Sequence, residues 1–279
     1  MSKNNTKSWR IFVSGKMNPA KNMALDKAIL CGIAEGISPN TIRIYDWDPP
    51  TVSFGYHQKI NEQINLKKIC ESDFGLVRRP TGGRAVLHFD EVTYAVIAEN
   101  KGQFSGSILE VYKEIAKPLL KSLNDVGINA EITDSLTDNN KIMKWKDPCF
   151  SSSSKYEINI NGKKIIGSAQ VRSNNAFLQH GSILLNHNQE KMADLLPISA
   201  ENKRRIMKKF LAKKTVSINQ LLDKNISFWK FAEILKKNFI KFFKIENYSS
   251  QSLLKKESII YSDYLKELEK EIVRLRKNC

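Results

Sequence analysis

Asn161-Gly162 sits between two runs of strand-forming residues, Lys155 to Ile160 and Lys163 to Arg172. A two-residue connection of this kind closes best as a type I′ turn, which needs positive φ at both central positions, and Asn-Gly tolerates that geometry well. The segment is expected to be a hairpin, with Ala176 to Leu185 as the next strand. Around it the hydrophobic pattern alternates between period 2 and period 3.6, which predicts a mixed α/β domain.

Trp9 to Val13 reads as a first strand and Asn18-Pro19 as a helix start, with Pro19 in the first turn and Gly36 as the stop. Thr41 to Tyr45 and Thr51 to His57 read as two strands joined by a turn at Asp48-Pro49-Pro50. Gly75 to Arg79 is a further strand, broken by Pro80-Thr81-Gly82-Gly83, and Ala85 to His88 and Thr93 to Ile97 resume extended structure. Ser107 to Val126 is expected to be a helix that Pro118 kinks or breaks. Asp138 to Asp147 is polar and reads as a loop. From about Met192 the chain becomes helical and lysine-rich. Trp229, Ala232, Ile234, Leu235, Phe239, Phe242 and Phe243 form an aromatic helix face, and Leu265, Leu268, Ile272 and Leu275 form a stripe that packs onto the main domain. The expected organisation is a mixed α/β main domain over residues 1–195, extending loosely to about 247, and a helical C-terminal extension over 196–279.

Totals narrow the function classes. No run of about 18 apolar residues is present, which argues against a membrane helix, and Met1 to Arg10 lacks a hydrophobic signal core, which points to the cytoplasm. The four cysteines, Cys31, Cys70, Cys149 and Cys279, fit no metal-binding pair, and a chain of 279 residues needs no disulfide framework. A net charge of +16 is compatible with nucleic acid, an anionic membrane surface or an acidic protein as partner. Lys203 to Lys214 holds seven basic residues in twelve, either a solvated helix face or a docking patch.

Three segments carry candidate chemistry. In Arg78-Arg79-Pro80-Thr81-Gly82-Gly83-Arg84-Ala85-Val86-Leu87-His88, paired glycines let backbone approach a ligand and the arginines can hold phosphate or carboxylate. Taken alone, a Gly-Gly turn between strands is an ordinary turn. Asp147-Pro148-Cys149-Phe150 places a thiol in a polar loop, outside the apolar setting of a core cysteine. In Gly162-Lys163-Lys164-Ile165-Ile166-Gly167-Ser168-Ala169-Gln170 the two lysines must point to opposite faces of a strand. Lys164 shares a face with Ile166 and is the better inward candidate, where it needs a carboxylate, a carbonyl or a substrate.

Together with Leu178-Gln179-His180-Gly181-Ser182-Ile183-Leu184-Leu185, these segments resemble the lipoate-protein ligase and octanoyltransferase superfamily. Pro148-Cys149-Phe150, Ser154, Tyr156-Glu157 and Gly167-Ser168-Ala169-Gln170 match its Gram-positive octanoyltransferase branch, and Asn22-Met23-Ala24-Leu25-Asp26 and Trp47-Asp48-Pro49-Pro50 match its opening. The resemblance runs from about Trp9 to Leu185 and more loosely beyond. It implies a mixed-sheet α/β (α+β) domain like that of biotin and lipoate ligases. It also implies Cys149 as nucleophile, Lys164 as its catalytic partner, and a substrate pocket at Arg79, Thr81, Gly82, Gly83, Ala85, His88, Gly167, Ser168, Ala169, His180 and Gly181. One departure is that Phe89 stands where an acidic residue usually follows the histidine; Asp90 and Glu91 come next.

The activity so implied is transfer of an octanoyl group from the phosphopantetheine arm of an acyl carrier protein, through a Cys149 thioester, to a lysine of a lipoyl-domain protein. Glycine cleavage H protein or the lipoyl-bearing subunit of a 2-oxoacid dehydrogenase would be the acceptor. No ATP or metal is expected, and no nucleic-acid or membrane partner. An ATP-dependent lipoate ligase, a lipoyl-domain amidotransferase and a non-catalytic binder of nucleic acid or acidic protein are the alternatives.

Overall fold

The computed structural model describes residues 8–60, 63–133 and 157–277. Strand β1 (Trp9–Met17) leads into helix α1 (Pro19–Ala34), where the Asn18 side chain caps the first turn by accepting from the Ala20 amide at 3.0 Å. There follow β2 (Thr41–Trp47), β3 (Thr51–Phe54), α2 (Leu66–Cys70), β4 (Gly75–Arg78), β5 (Val86–His88) and β6 (Glu91–Glu99). Then come α3 (Ile108–Asn124), β7 (Glu131–Thr133), β8 (Glu157–Ile160), β9 (Lys163–Ser173) and β10 (Ala176–Leu184). The C-terminal part contains α4 (Glu201–Lys214), α5 (Phe228–Phe242), β11 (Tyr248–Ser249) and α6 (Ser258–Arg276).

The strands form a mixed sheet in the order β11-β1-β2-β6-β10-β9-β8-β7 and a small sheet in the order β4-β3-β5. The β8–β9 hairpin turns at Asn161 and Gly162 with φ of 49° and 70°, the positive values that its sequence predicted. Alternation along the central strands feeds two cores. Val92, Tyr94 and Val96 of β6 face α3 and α5, while Ala95 and Ile97 face α1. Helix α1 is buried on nearly all sides because α6 lies across its outer surface, with Leu268 buried between them. The stripe expected to pack inward does so: Leu268 and Leu275 are buried, with Leu265 and Ile272 half-buried beside them.

The two strands joined at Asp48-Pro49-Pro50 form as expected, but in different sheets: β2 belongs to the large sheet and β3 to the small one. The proline turn hands the chain from the large sheet to the small one. Other expectations need correction. The second of these strands ends at Phe54, before Gly55, rather than at His57. Helix α3 runs through Pro118 without a break, with the Ser122 hydroxyl bonded to the Pro118 carbonyl at 2.7 Å. On α5, Trp229 and Phe242 face outward while Phe231 takes the buried position beside Ala232 and Leu235. Helix α2, too short to show a period, gave no signal. Cys31 is a free, half-buried thiol, whereas Cys70 is disulfide-bonded, a tie for which chain length alone gives no reason.

Candidate active site

A cavity of about 100 Å³ lies where β9 and β10 of the large sheet meet the small sheet and α1. Nine of the expected residues line it: Lys164, Gly167, Ser168 and Ala169 from β9, His180 and Gly181 from β10, and Arg79, Gly83 and His88 from the small sheet and its loop. Three others stand behind the wall. Thr81 is buried with its hydroxyl on His180, the Gly82 carbonyl accepts from Arg79, and Ala85 packs in the core beneath the small sheet. Cys149, with Ser154 and Tyr156, lies outside the described residues.

Lys164 points inward and Lys163 outward, as the strand alternation requires. Lys164 is 5% exposed, and its ammonium donates to Glu157 Oε1 at 2.6 Å. Glu157, also 5% exposed, opens β8 opposite Gly167, so the hairpin itself brings the two charges together. A buried cation without such a partner would cost several kcal/mol or give up its proton. The backbone of Lys164 is held as well, its carbonyl accepting from Val216 just beyond α4 at 3.0 Å.

Arg79 turns inward on the protein's own backbone. One guanidinium nitrogen donates to the Ser53 carbonyl and hydroxyl at 3.2 and 3.1 Å, and the other to the carbonyls of Gly82 and Arg84 at 2.8 and 2.7 Å. The Pro80–Arg84 loop is thus curled around this side chain, and Gly83 supplies the positive φ of 98° that the curl needs. The sequence reading has these arginines able to hold phosphate or carboxylate; the Arg79 bonds go to the protein's own backbone and hold the shape of the cavity wall.

Two buried imidazoles are held by carboxylates. His180 Nδ1 lies 3.2 Å from Asp26 Oδ2, and its Nε2 lies 2.7 Å from the Thr81 hydroxyl. A carboxylate can only accept, so Nδ1 carries the proton and Thr81 donates to Nε2. Burial pushes the Asp26 carboxyl up, but the Arg43 guanidinium at 2.8 Å and the bond to His180 outweigh it and hold it below the usual carboxylate range. Burial holds His180 below the usual imidazole range despite the pull of Asp26. His88 Nδ1 is 2.7 Å from Glu91 Oε1, its Nε2 is 2.7 Å from the Ser53 hydroxyl, and the Trp47 ring stacks on it at 4.2 Å. Glu91 also accepts from Thr93 and from Ser182. Of the two acids that follow Phe89, Glu91 is the one that meets His88. Asp90 is exposed, with φ of 49°, and bonds Asn188. Phe89 packs edge-on against Phe74, under the Lys191 ammonium.

Residues 18–240 match the family model described as the lipoyl protein ligase A/B catalytic domain. The chain belongs to that family. Among relatives, it is 40% identical to "Octanoyltransferase LipM" of Halalkalibacterium halodurans, over 84% of this chain and 86% of the relative. It is 41% identical to the protein of that name from Brevibacillus brevis, over 85% and 88%. The fold is shared with a bi-partite lipoate protein ligase from Thermoplasma acidophilum, solved with its E2 lipoyl domain: the TM-score is 0.77 at 19% identity, covering 94% of this chain and 93% of that one.

Set in the lipoyl protein ligase A/B family, the two opening motifs gain a physical reason. Met23 of the first lines the cavity, and Asn22 and Asp26 sit with Arg43 beneath it. Trp47 of the second backs His88. Tyr45, Ser53, Val86, Thr93 and Ser182 also line the cavity and were not foreseen. They are ordinary strand residues whose facing is set by which sheets meet.

Proposed function

We propose that this protein is an acyltransferase of protein lipoylation that moves an octanoyl group onto a lysine of a lipoyl-domain protein. The observation that carries the reading is the likeness to octanoyltransferases over most of both chains. The cavity supports it, with glycine in its wall and the buried Lys164 ammonium among its lining. Burying an eight-carbon tail at about 0.8 kcal/mol per CH₂ could supply roughly 5 kcal/mol of binding.

The donor is an octanoyl thioester on the phosphopantetheine arm of an acyl carrier protein. The Cys149 thiol gives up its proton, the thiolate attacks the carbonyl, the thioester C–S bond breaks, and the departing pantetheine sulfur takes up that proton. The amine of the acceptor lysine then attacks octanoyl-Cys149, the C–S bond breaks as the amide forms, and the proton lost by the amine returns the Cys149 sulfur to its thiol. Exchanging one thioester for another is close to neutral and the amide step is downhill, so ATP and metal have no part in the cycle. A free thiol titrates near pH 8.5, about 1.4 kcal/mol per unit from the thiolate needed near neutrality, and Lys164 is assigned to supply that stabilisation. The acceptor is glycine cleavage H protein or the lipoyl-bearing subunit of a 2-oxoacid dehydrogenase, and the site of action is the cytoplasm.

The test is octanoyl transfer from octanoyl-carrier protein to a lipoyl domain in the absence of ATP. Wild-type protein is expected to transfer with ping-pong kinetics and Cys149→Ser to be inactive. Transfer by Cys149→Ser that requires ATP and free lipoate would establish a ligase instead. Faster transfer from an octanoylated lipoyl-domain protein than from the carrier would establish an amidotransferase.

A further inference from the structure

Helix α6 lies beyond residues 18–240 matched by the catalytic-domain family, yet its side chains reach the loops that wall the cavity. Glu271, near its end, takes the Arg78 guanidinium in a fork, with Nε at 3.0 Å and Nη2 at 2.8 Å from Oε1. The third nitrogen of Arg78 donates to the carbonyls of Gly55, Tyr56 and Gln58 at 3.2, 2.7 and 3.2 Å. One side chain therefore ties the turn after β3 to α6.

That turn bears directly on the cavity loop. A Cβ placed on Gly55 would lie 2.1 Å from the Gly83 carbonyl oxygen, so the two backbones are in contact with no room for a side chain. The Tyr56 amide donates to the Thr81 carbonyl at 2.9 Å, and the Thr81 hydroxyl meets His180. Movement of the Gly55–Gln58 turn is thus transmitted to Gly82-Gly83 and to the imidazole below. Helix α6 is a firm base for this. Its start is fixed by Glu257, which takes two nitrogens of buried Arg10 at 2.7 and 2.6 Å and the Ser38 hydroxyl at 2.6 Å. Its middle and end are fixed by buried Leu268 and Leu275.

We propose that Arg78 and Glu271 are positioning residues. Through them the C-terminal helix sets the width of the acyl slot and hence the preferred chain length. This rests on the octanoyl-transfer reading. The Arg78 and Glu271 side chains are 22% and 16% exposed and border an open groove, so loss of one charge leaves the other in reach of water. The effect belongs to loop position rather than to folding.

The experiment compares wild type, Glu271→Ala and a control, Glu269→Ala, on the exposed face of the same helix. It measures kcat and KM for hexanoyl, octanoyl and decanoyl carrier-protein thioesters, and amide hydrogen exchange over residues 53–58 and 80–84. In Glu271→Ala, exchange in both loops is expected to speed up. Octanoyl KM should rise about five- to tenfold, the scale of losing one good charged pair, and its advantage over decanoyl should shrink, with kcat little changed. Glu269→Ala should match wild type. Unchanged exchange overturns the proposal, as does faster exchange with KM and chain-length preference as in wild type. If wild type transfers no acyl group, the functional reading fails, and the exchange data alone still decide whether α6 holds the loops.

Discussion

Glu91 accepts hydrogen bonds from His88, Thr93 and Ser182 at once, which only a carboxylate can do with both oxygens. In Glu91→Gln one of these donors would face an NH₂ group. The expected loss is about 1–3 kcal/mol of stability in denaturant titrations, with a fall in kcat/KM as His88 loses its orientation. Asp46 behaves in the opposite sense. Burial is the main cause that pushes its carboxyl up to about 6, with nearby Glu91 adding to it against the Trp47 amide. A raised value means that the folded protein loses stability relative to the unfolded chain as pH rises from about 4 through 6. Asp46→Asn should therefore be more stable than wild type at pH 7 to 8, by about 1–2 kcal/mol allowing for solvent screening, and should lose that advantage near pH 4 in thermal or denaturant unfolding. At this scale the sequence was informative where alternation decides. Lys164 faces in because a strand leaves no other choice once Lys163 faces out. It was uninformative where a loop decides: the inward turn of Arg79 depends on how Pro80–Arg84 curls, which no period records.

Among the elements, the Asn-Gly hairpin and the capped start of α1 were legible because turn and cap chemistry is local. The assignment of β2 and β3 to different sheets was not, since it depends on partners far along the chain. Helix α6 was legible as a stripe but not as a support for the site. Its anchor gives two predictions. Glu257→Ala leaves Arg10 buried without its carboxylate and should cost about 3–5 kcal/mol in equilibrium unfolding. Leu268→Ala should cost about 2–5 kcal/mol by opening a cavity against α1. Burial pushes the Glu257 carboxyl up, but Arg10, Ser38 and the Leu254 amide overcome this and hold it below its ordinary 4.5; Arg43 likewise holds Asp26 below 3.8. A lowered value contributes stability that is complete above the unfolded value and lost as pH falls through the folded one. Acid unfolding of wild type should therefore begin below about pH 4.5, and Glu257→Ala should show a shallower dependence there.

Over the whole molecule, the charge of +16 matches the acidic character general to acyl carriers and lipoyl domains. Transfer from carrier protein should slow as ionic strength rises from about 0.05 to 0.5 M, through kcat/KM, while transfer from a small octanoyl thioester should not. Among the described residues no helix is long and apolar enough to cross a membrane. The large sheet, the small sheet and α1 meet at one cavity, and the proposed chemistry turns on an acyl group carried for a moment by the sulfur of Cys149. The most direct measurement is peptide mass spectrometry of protein mixed with octanoyl-carrier protein, without acceptor, and quenched in acid. The account predicts one octanoyl group per chain, on the peptide containing Cys149, released by hydroxylamine and transferred when a lipoyl domain is added. No acyl group on that peptide, while transfer to the lipoyl domain proceeds, would contradict it.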